Sequence, residues 1–341
     1  HWGEPVVATA ITEITADGPR YRGRLATELA LTGCPYEAAA ELLWTGRWHE
    51  HAPAWRAPAL PAQFARSVRA LPKGPVASYT DRLATLMHLL GDACEGKAEA
   101  ESGSLLPPAR QAIQVAAGAL GYLRENGALL TPRAGERLAE LAARALGMPG
   151  NAELAAALDF ALTLTADHEL PPSTFVARIV ASTGAGIHGC LAAGIAGFYG
   201  TLTGTGTDNI EELVLGSRGK AALTRRLRHL VERGRDVVGF NHPLYPDGDP
   251  RARLLLDYVA GLGARARPAG ALLAAVEEAE RSLGVRPSLA VGLVALQLAY
   301  ALPRRTASAL SLLGRLAGMA AHVQEQRMTC TLIRPRARYV G

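Results

Sequence analysis

At 341 residues the chain exceeds the roughly 100–200 residues of one ordinary domain, so it forms either one large fold or two domains sharing a cleft. Hydrophobic residues make up 49% and charged residues 20%, a globular balance that excludes disorder for most of the length. Thirty-six basic against thirty-one acidic residues give a net charge of +5, dispersed except at Arg225-Arg226-Leu227-Arg228 and Arg334-Pro335-Arg336-Ala337-Arg338, so no nucleic-acid stripe is expected.

The chain opens abruptly at His1-Trp2-Gly3-Glu4-Pro5, with no initiator Met or signal peptide, and the parent protein is expected to extend N-terminally. Strand signals are few: Val6-Val7-Ala8, Arg20-Tyr21-Arg22 and, far away, Cys330-Thr331-Leu332-Ile333. Between them, apolar residues recur three or four apart over 81–90, 109–126, 132–146, 152–165, 223–233, 250–262 and 270–283, with Gly or Pro as punctuation. An all-α fold of short-looped helices with minor strands near the termini is therefore expected. The longest nearly uninterrupted apolar run, Leu289 to Leu302, contains Gln297 and is shorter than the roughly 18–20 residues that span a bilayer, so no membrane crossing is expected. Cys34, Cys94, Cys190 and Cys330 are far apart without a C-x-x-C pair, which suggests reduced thiols in a cytoplasmic protein, with neither a metal site nor a disulfide framework.

Gly184-Ala185-Gly186-Ile187-His188-Gly189 satisfies a dinucleotide-binding pattern, but that fingerprint needs a strand before it and a βαβ unit around it. Residues 175–182 read instead as a helix continuing across the glycines, whose small size suits close helix packing. Gly200-Thr201-Leu202-Thr203-Gly204-Thr205-Gly206-Thr207 is glycine-rich yet lacks the Lys of a phosphate-cradling loop, so it reads as a flexible or tightly turned loop.

Ala166-Asp167-His168-Glu169, Ala181-Ser182-Thr183-Gly184-Ala185 and Ala192-Ala193-Gly194-Ile195 occur in an order that resembles the citrate synthase family. Gly239-Phe240-Asn241-His242 with Asp249-Pro250-Arg251 is similar to its G-[FY]-G-H…D-P-R block. Gly314-Arg315-Leu316-Ala317-Gly318 followed by Ala321-His322, and the terminal Arg334-Pro335-Arg336-Ala337-Arg338-Tyr339, resemble two further blocks. Tyr21-Arg22-Gly23 and Leu42-Leu43-Trp44-Thr45-Gly46-Arg47 extend the likeness to the N-terminal part, so it covers essentially the whole chain.

The resemblance implies a mostly helical homodimer, with a large domain from 1–203 and 304–341 and a small domain from 204–303 facing it across the active-site cleft. It implies acyltransfer by a Claisen-type condensation, the tricarboxylic acid cycle reaction of this family. An aspartate takes an α-proton from an acyl-CoA, one histidine stabilises the enol oxygen, a second polarises a 2-oxo acid carbonyl, and thioester hydrolysis follows. By the same likeness His168 contacts the oxo acid and His242 polarises its carbonyl, while Arg251, Arg315 and the partner subunit's Arg334 grip its carboxylates. The loop Val237, Val238, Gly239, Phe240, Asn241 would lie against the adenine of coenzyme A, with Asn241 in place of the usual glycine. Acyl-CoA would be a co-substrate, and no cofactor is tightly bound.

Each of these residues also has a bland reading. His168 alone reads as a satisfied histidine at a helix end, His242 as a loop residue, Arg315 as an ion-pair partner and Arg334 as part of a solvated charge run. Two departures from the family are sharper. The enol-stabilising histidine aligns with Thr203, and the catalytic aspartate, thirteen residues before Pro303, aligns with Ala290. No Asp or Glu occurs from Arg281 to Gln324, so a small register shift recovers none. A dicarboxylate pocket that has outlived ordinary condensation is therefore expected. The alternatives are a divergent condensing or thioester-cleaving enzyme, and a pseudoenzyme acting as a dicarboxylate sensor or as a subunit paired with an active paralogue. Some bacterial members of the family carry a helix-turn-helix segment before a similar Trp-Gly-Glu-Pro start, although nothing in this segment is expected to bind DNA.

Overall fold

The computed structural model describes residues 7–50, 55–56, 59–76, 78–94, 103–200, 205–233 and 239–340. The chain enters through an antiparallel meander, β1 (Thr12–Thr15), β2 (Gly18–Tyr21) and β3 (Arg24–Leu25), in which Thr12 pairs with Tyr21 and Arg20 with Leu25. Fifteen α-helices follow among the described residues. They are α1 (Ala26–Leu31), α2 (Tyr36–Thr45), α3 (Ala62–Ala70), α4 (Tyr79–Cys94), α5 (Leu106–Ala119), α6 (Leu138–Ala145), α7 (Ala152–Thr165), α8 (Pro172–Ser182), α9 (Ile187–Phe198), α10 (Thr205–Leu215), α11 (Gly219–Glu232), α12 (Pro250–Ala260), α13 (Gly270–Leu283), α14 (Leu289–Ala299) and α15 (Thr306–Thr329).

The helical periodicity in the sequence places most of these. The bounds of α7 and α13 agree with the spacing, because Asn151 caps α7 by accepting the Leu154 N–H at 2.9 Å and left-handed Gly284 ends α13. Several local expectations need correction: the helix expected over 109–126 ends at Ala119 and tightens to a 3-10 turn over Leu120–Leu123, and α10 already begins at Thr205 within the glycine-rich stretch. Residues 132–137 do not join α6, whose first turn starts only where Leu138 N–H reaches the buried Glu37 carboxylate at 2.6 Å. Val7, Ala8 and residues 330–333 form no strand among the described residues, since none has a ladder partner. Finally, the helix from 175 stops at Ser182 instead of running through the glycines: Gly184 turns left-handed at φ 84° and α9 starts anew at Ile187.

The long helix α15 is the axis of the fold. It is buried on nearly every side, with α2, α5, α7, α8, α9 and α14 against it. Polar handles on apolar bodies pin α2 to it: Tyr36 Oη donates to the Gly314 carbonyl at 2.8 Å, and Trp44 Nε1 to the Ala317 carbonyl at 2.9 Å. The apolar helix α14 packs between α12 and α15, and its one buried amide, Gln297, is satisfied by Glu211 Oε1 and the Ala307 N–H. No described helix is long and apolar enough to cross a membrane.

Where α15 passes the end of α7, the backbones approach closely. A Cβ at Gly314 would collide with Thr165 Oγ1, and one at Gly318 with Asp167 Oδ1, so glycine four residues apart opens the groove in which residues 165–168 lie. The Gly318 N–H donates to the Ala166 carbonyl at 2.9 Å across that contact. Tyr21 seals the other side, its buried hydroxyl donating to the Thr163 carbonyl at 3.0 Å and accepting the Asp167 N–H at 3.3 Å.

Candidate functional site

Four sequence-predicted residues, His168, His242, Arg251 and Arg315, come together from three separate segments. His168 follows α7 in the groove just described, Arg315 projects from α15, and His242 and Arg251 flank the start of α12. His168 and His242 meet edge to face with ring centroids 5.2 Å apart.

Tyr245 joins them, a residue to which the sequence reading gave no role although it lies three positions after His242. Its hydroxyl is 2.9 Å from His168 Nε2, its ring centroid is 5.2 Å from that of His242, and the Arg251 guanidinium carbon lies 5.4 Å from it. The H-x-x-Y spacing was the available signal, and only the turn after His242, closed by Tyr245 N–H to the His242 carbonyl at 2.8 Å, folds the phenol back onto the histidines.

Electrostatics keep both histidines neutral. Burial first, then the neighbouring Arg251 and Arg315, push His168 well below its usual range, and the same causes bring His242 down to about 4. The Leu244 N–H donates to His242 Nδ1 at 3.2 Å, which leaves the proton on Nε2. His242 is thus a neutral hydrogen-bond donor through Nε2, the form that polarises a carbonyl without adding charge. Burial moves the Tyr245 phenol up to about 12, so it too stays protonated.

The two arginines differ. Arg251 is buried in a fork with Asp249, Nε to Oδ1 at 3.0 Å and Nη2 to Oδ2 at 2.9 Å, which leaves Nη1 outside the fork. Arg315 is 8% exposed, and its Nε donates to the Thr165 carbonyl at 3.3 Å. Among the described residues no carboxylate lies within ion-pair distance of it. Burial and the repulsion of Arg251 lower its affinity for its own proton, despite Asp167 nearby.

Ala290 is the second residue of α14, behind Ser288 at the helix cap. The carboxylate that the fold brings to this helix start is Asp249, whose Oδ2 accepts the Leu289 N–H at 3.1 Å. Both its oxygens are committed, because Oδ1 also caps α12 through the Arg251 N–H at 3.0 Å. Burial alone would raise this carboxyl, yet Arg251 and the bonds around it hold it below its ordinary value. It is an anchored anion, unsuited to proton abstraction.

Residues 239–242 clasp the turn before α14. Ser288 N–H reaches the Gly239 carbonyl at 2.8 Å, Phe240 bridges Pro287, and Asn241 both donates its N–H to the Arg286 carbonyl at 2.7 Å and accepts the Arg286 N–H on Oδ1 at 2.8 Å. Asn241 stands at φ 53°, a left-handed conformation that glycine or Asn adopts most readily. Arg334 lies apart, exposed on the irregular segment after α15. Thr203, Val237 and Val238 lie outside the described residues.

Comparison with known proteins agrees with this architecture. A family model for the citrate synthase C-terminal domain matches residues 1–336. The 2-methylcitrate synthase of Shewanella oneidensis is 30% identical over 192 residues, 54% of this chain and 50% of that protein, so the match spans about half the length of such curated relatives. Citrate synthase from Thermotoga maritima superposes with a TM-score of 0.84 at 22% identity, covering 99% of this chain and 94% of that one. The citrate synthase of Thermoplasma acidophilum, solved as a ternary complex with carboxymethyl coenzyme A and oxaloacetate, superposes equally well at 21% identity over the same shares. On the family match over nearly its whole length and on its helical architecture, the chain belongs to the citrate synthase family.

Proposed function

We propose that this chain binds a small dicarboxylate or 2-oxo acid of the oxaloacetate type between His168, His242, Arg251 and Arg315, and that ordinary condensation with an acyl-CoA is lost. The carrying observation is Arg315: a guanidinium this deeply buried, with one backbone hydrogen bond, is costly unless an anion completes it. His242 Nε2–H supplies a neutral donor for the 2-oxo carbonyl, Arg251 Nη1 a second cationic donor, and Tyr245 fixes His168 beside them.

A general base is worth about 10²–10⁴ in rate and an enol-oxygen donor about 10²–10³. At about 1.36 kcal/mol per decade, Ala290 and Thr203 together remove roughly 5–10 kcal/mol of barrier lowering. Thr203 offers at most one hydroxyl donor and Ala290 no acid–base chemistry. Binding without turnover is the activity of a metabolite sensor, or of a subunit that assembles with an active paralogue.

In the same proposal, residues 204–303 form a smaller domain that closes over the rest, and a second chain adds Arg334, whose exposure in one chain suits a contact made in an assembly. Acyl-CoA is a weak ligand at best, because Asn241 ties residues 239–242 to the turn before α14.

Calorimetric titration with oxaloacetate is expected to give saturable heat, while thiol release from acetyl-CoA plus oxaloacetate stays near background. The Thr203→His, Ala290→Asp double variant should raise that release. Robust wild-type release would overturn the loss of chemistry, and absence of heat would overturn the pocket.

A further inference from the structure

A buried polar chain of Asp167, His322 and Arg178 lies behind the site. On α15, Arg315 and His322 are two turns apart on one face, with Gly318 between them where Asp167 abuts the helix. His322 is fully buried, and its Nε2 is 3.3 Å from Asp167 Oδ2. Arg178 of α8 approaches the other ring nitrogen, Nη1 to Nδ1 at 3.3 Å, and an arginine can only donate. The ring proton is thereby fixed on Nε2 and directed at Asp167.

Arg178 is held in turn by Gln326 Oε1 at 2.7 Å, Glu325 Oε2 at 2.7 Å and the Ala8 carbonyl at 3.2 Å. At the far end, Asp167 Oδ2 also accepts the N–H of Glu169, a residue at φ 62°, at 3.3 Å and so braces the turn that presents His168. Asp167 lies within the electrostatic reach of Arg315. Left alone, a buried carboxylate beside an unpaired buried guanidinium would move to pair with it.

We propose that His322, oriented by Arg178, is a positioning residue: it holds Asp167 on the His168 turn and off Arg315, keeping Arg315 open for the ligand carboxylate. The inference rests on the proposed dianion pocket. His322→Leu removes the restraint, and Asp167 then neutralises Arg315 from within. His322→Gln retains a donor for Asp167 and an acceptor for Arg178.

The test is oxaloacetate affinity by calorimetry, together with ¹⁵N–¹H spectra of histidine-labelled protein, which report the rings without any ligand. His322→Leu is expected to weaken binding about 10–100-fold and to shift the His168 ring signals, whereas His322→Gln stays close to wild type in both. The decisive arm is His322→Leu combined with Asp167→Asn: a neutral amide does not compete for Arg315, so affinity recovers, whereas a merely structural role makes the double variant worse than either single one. Unchanged affinity and ring signals in His322→Leu, or no recovery in the double variant, overturn the proposal. If His322→Leu does not fold, His322→Gln alone decides: an Nε2-protonated His322 in the wild type with unshifted His168 signals in the variant supports the positioning role, and shifted signals overturn it. Wild-type protein that gives no heat with oxaloacetate overturns the pocket, and the ring spectra then decide by themselves whether His322 positions the His168 turn.

Discussion

Replacing Arg315 by Met should move stability and ligand affinity in opposite directions. In the free protein the change removes one hydrogen bond, to the Thr165 carbonyl, whose net worth is about 0.5–1.5 kcal/mol. It also relieves the desolvation of a guanidinium that is 8% exposed, while the attraction of Asp167 and the weaker repulsion by Arg251 are both lost. Replacing a buried ion pair or triad by well-packed apolar side chains is commonly neutral or stabilising by about 1–4 kcal/mol, and Arg315, which has no ion-pair partner among the described residues, is expected to follow the same range. At about 2.1 cal/mol/K of unfolding entropy per residue, 341 residues shift by about 1.4 °C per kcal/mol, so melting should rise by roughly 1–6 °C. Binding should respond the other way, since truncating one partner of a buried charge contact costs about 2–5 kcal/mol. At about 1.36 kcal/mol per decade that is a loss of roughly 30- to 5,000-fold. Scanning calorimetry of the free protein and titration calorimetry with oxaloacetate read the two effects separately. A variant that melts lower than wild type yet binds within about threefold of it would show that Arg315 is a structural cation, and would refute the reasoning.

Two further outcomes test the surroundings of the site. Asp159 lies in a buried cluster where Tyr36 N–H reaches its Oδ1 at 3.1 Å and Arg137 its Oδ2 at 3.2 Å, and burial, then the Glu37 carboxylate, raise it to about 7. Its folded pKa lies above its unfolded value of about 3.9, so its stabilising contribution is complete below pH 4 and is lost as pH rises toward 7. Asp159→Asn should flatten that part of the stability curve and stabilise the protein at pH 8 by at most about 4 kcal/mol, three pKa units at about 1.36 each; denaturant titrations at pH 4.5 and 8 check it, and an equal effect at both would contradict it. At position 241, Asn241→Gly should lose only the side-chain bond to Arg286, about 1 kcal/mol, whereas Asn241→Val adds the strain of a left-handed β-branched residue, about 1–2 kcal/mol more. Thermal melts that rank Val above Gly would show that φ 53° is not a constraint there.

The helical periodicity, with Gly or Pro as punctuation, made most of the fold legible in the sequence. Those are local signals, carried by side-chain spacing and backbone preference within one or two turns. The ordered blocks with His168, His242, Arg251 and Arg315 also named four residues that the fold brings together, and set Ala290 and Thr203 against the family's pattern. Local signals misled where a distant group set the outcome: α6 starts late because Glu37 waits for the Leu138 N–H.

The roles of Tyr245, Asp249, Asp167 and His322 were not legible, although all of them stood in or beside the motifs. Tyr245 meets His168 across 77 residues of sequence and His322 meets Asp167 across 155, and no spacing rule reaches that far. What residue types alone determined is the inventory of charges and donors; which of them are spent on one another and which stay open depends on burial. Asp249 closes on Arg251 while Arg315 keeps only a backbone partner among the described residues, because the carboxylate that Gly318 admits against α15, that of Asp167, is bonded to His322 and the Glu169 N–H instead.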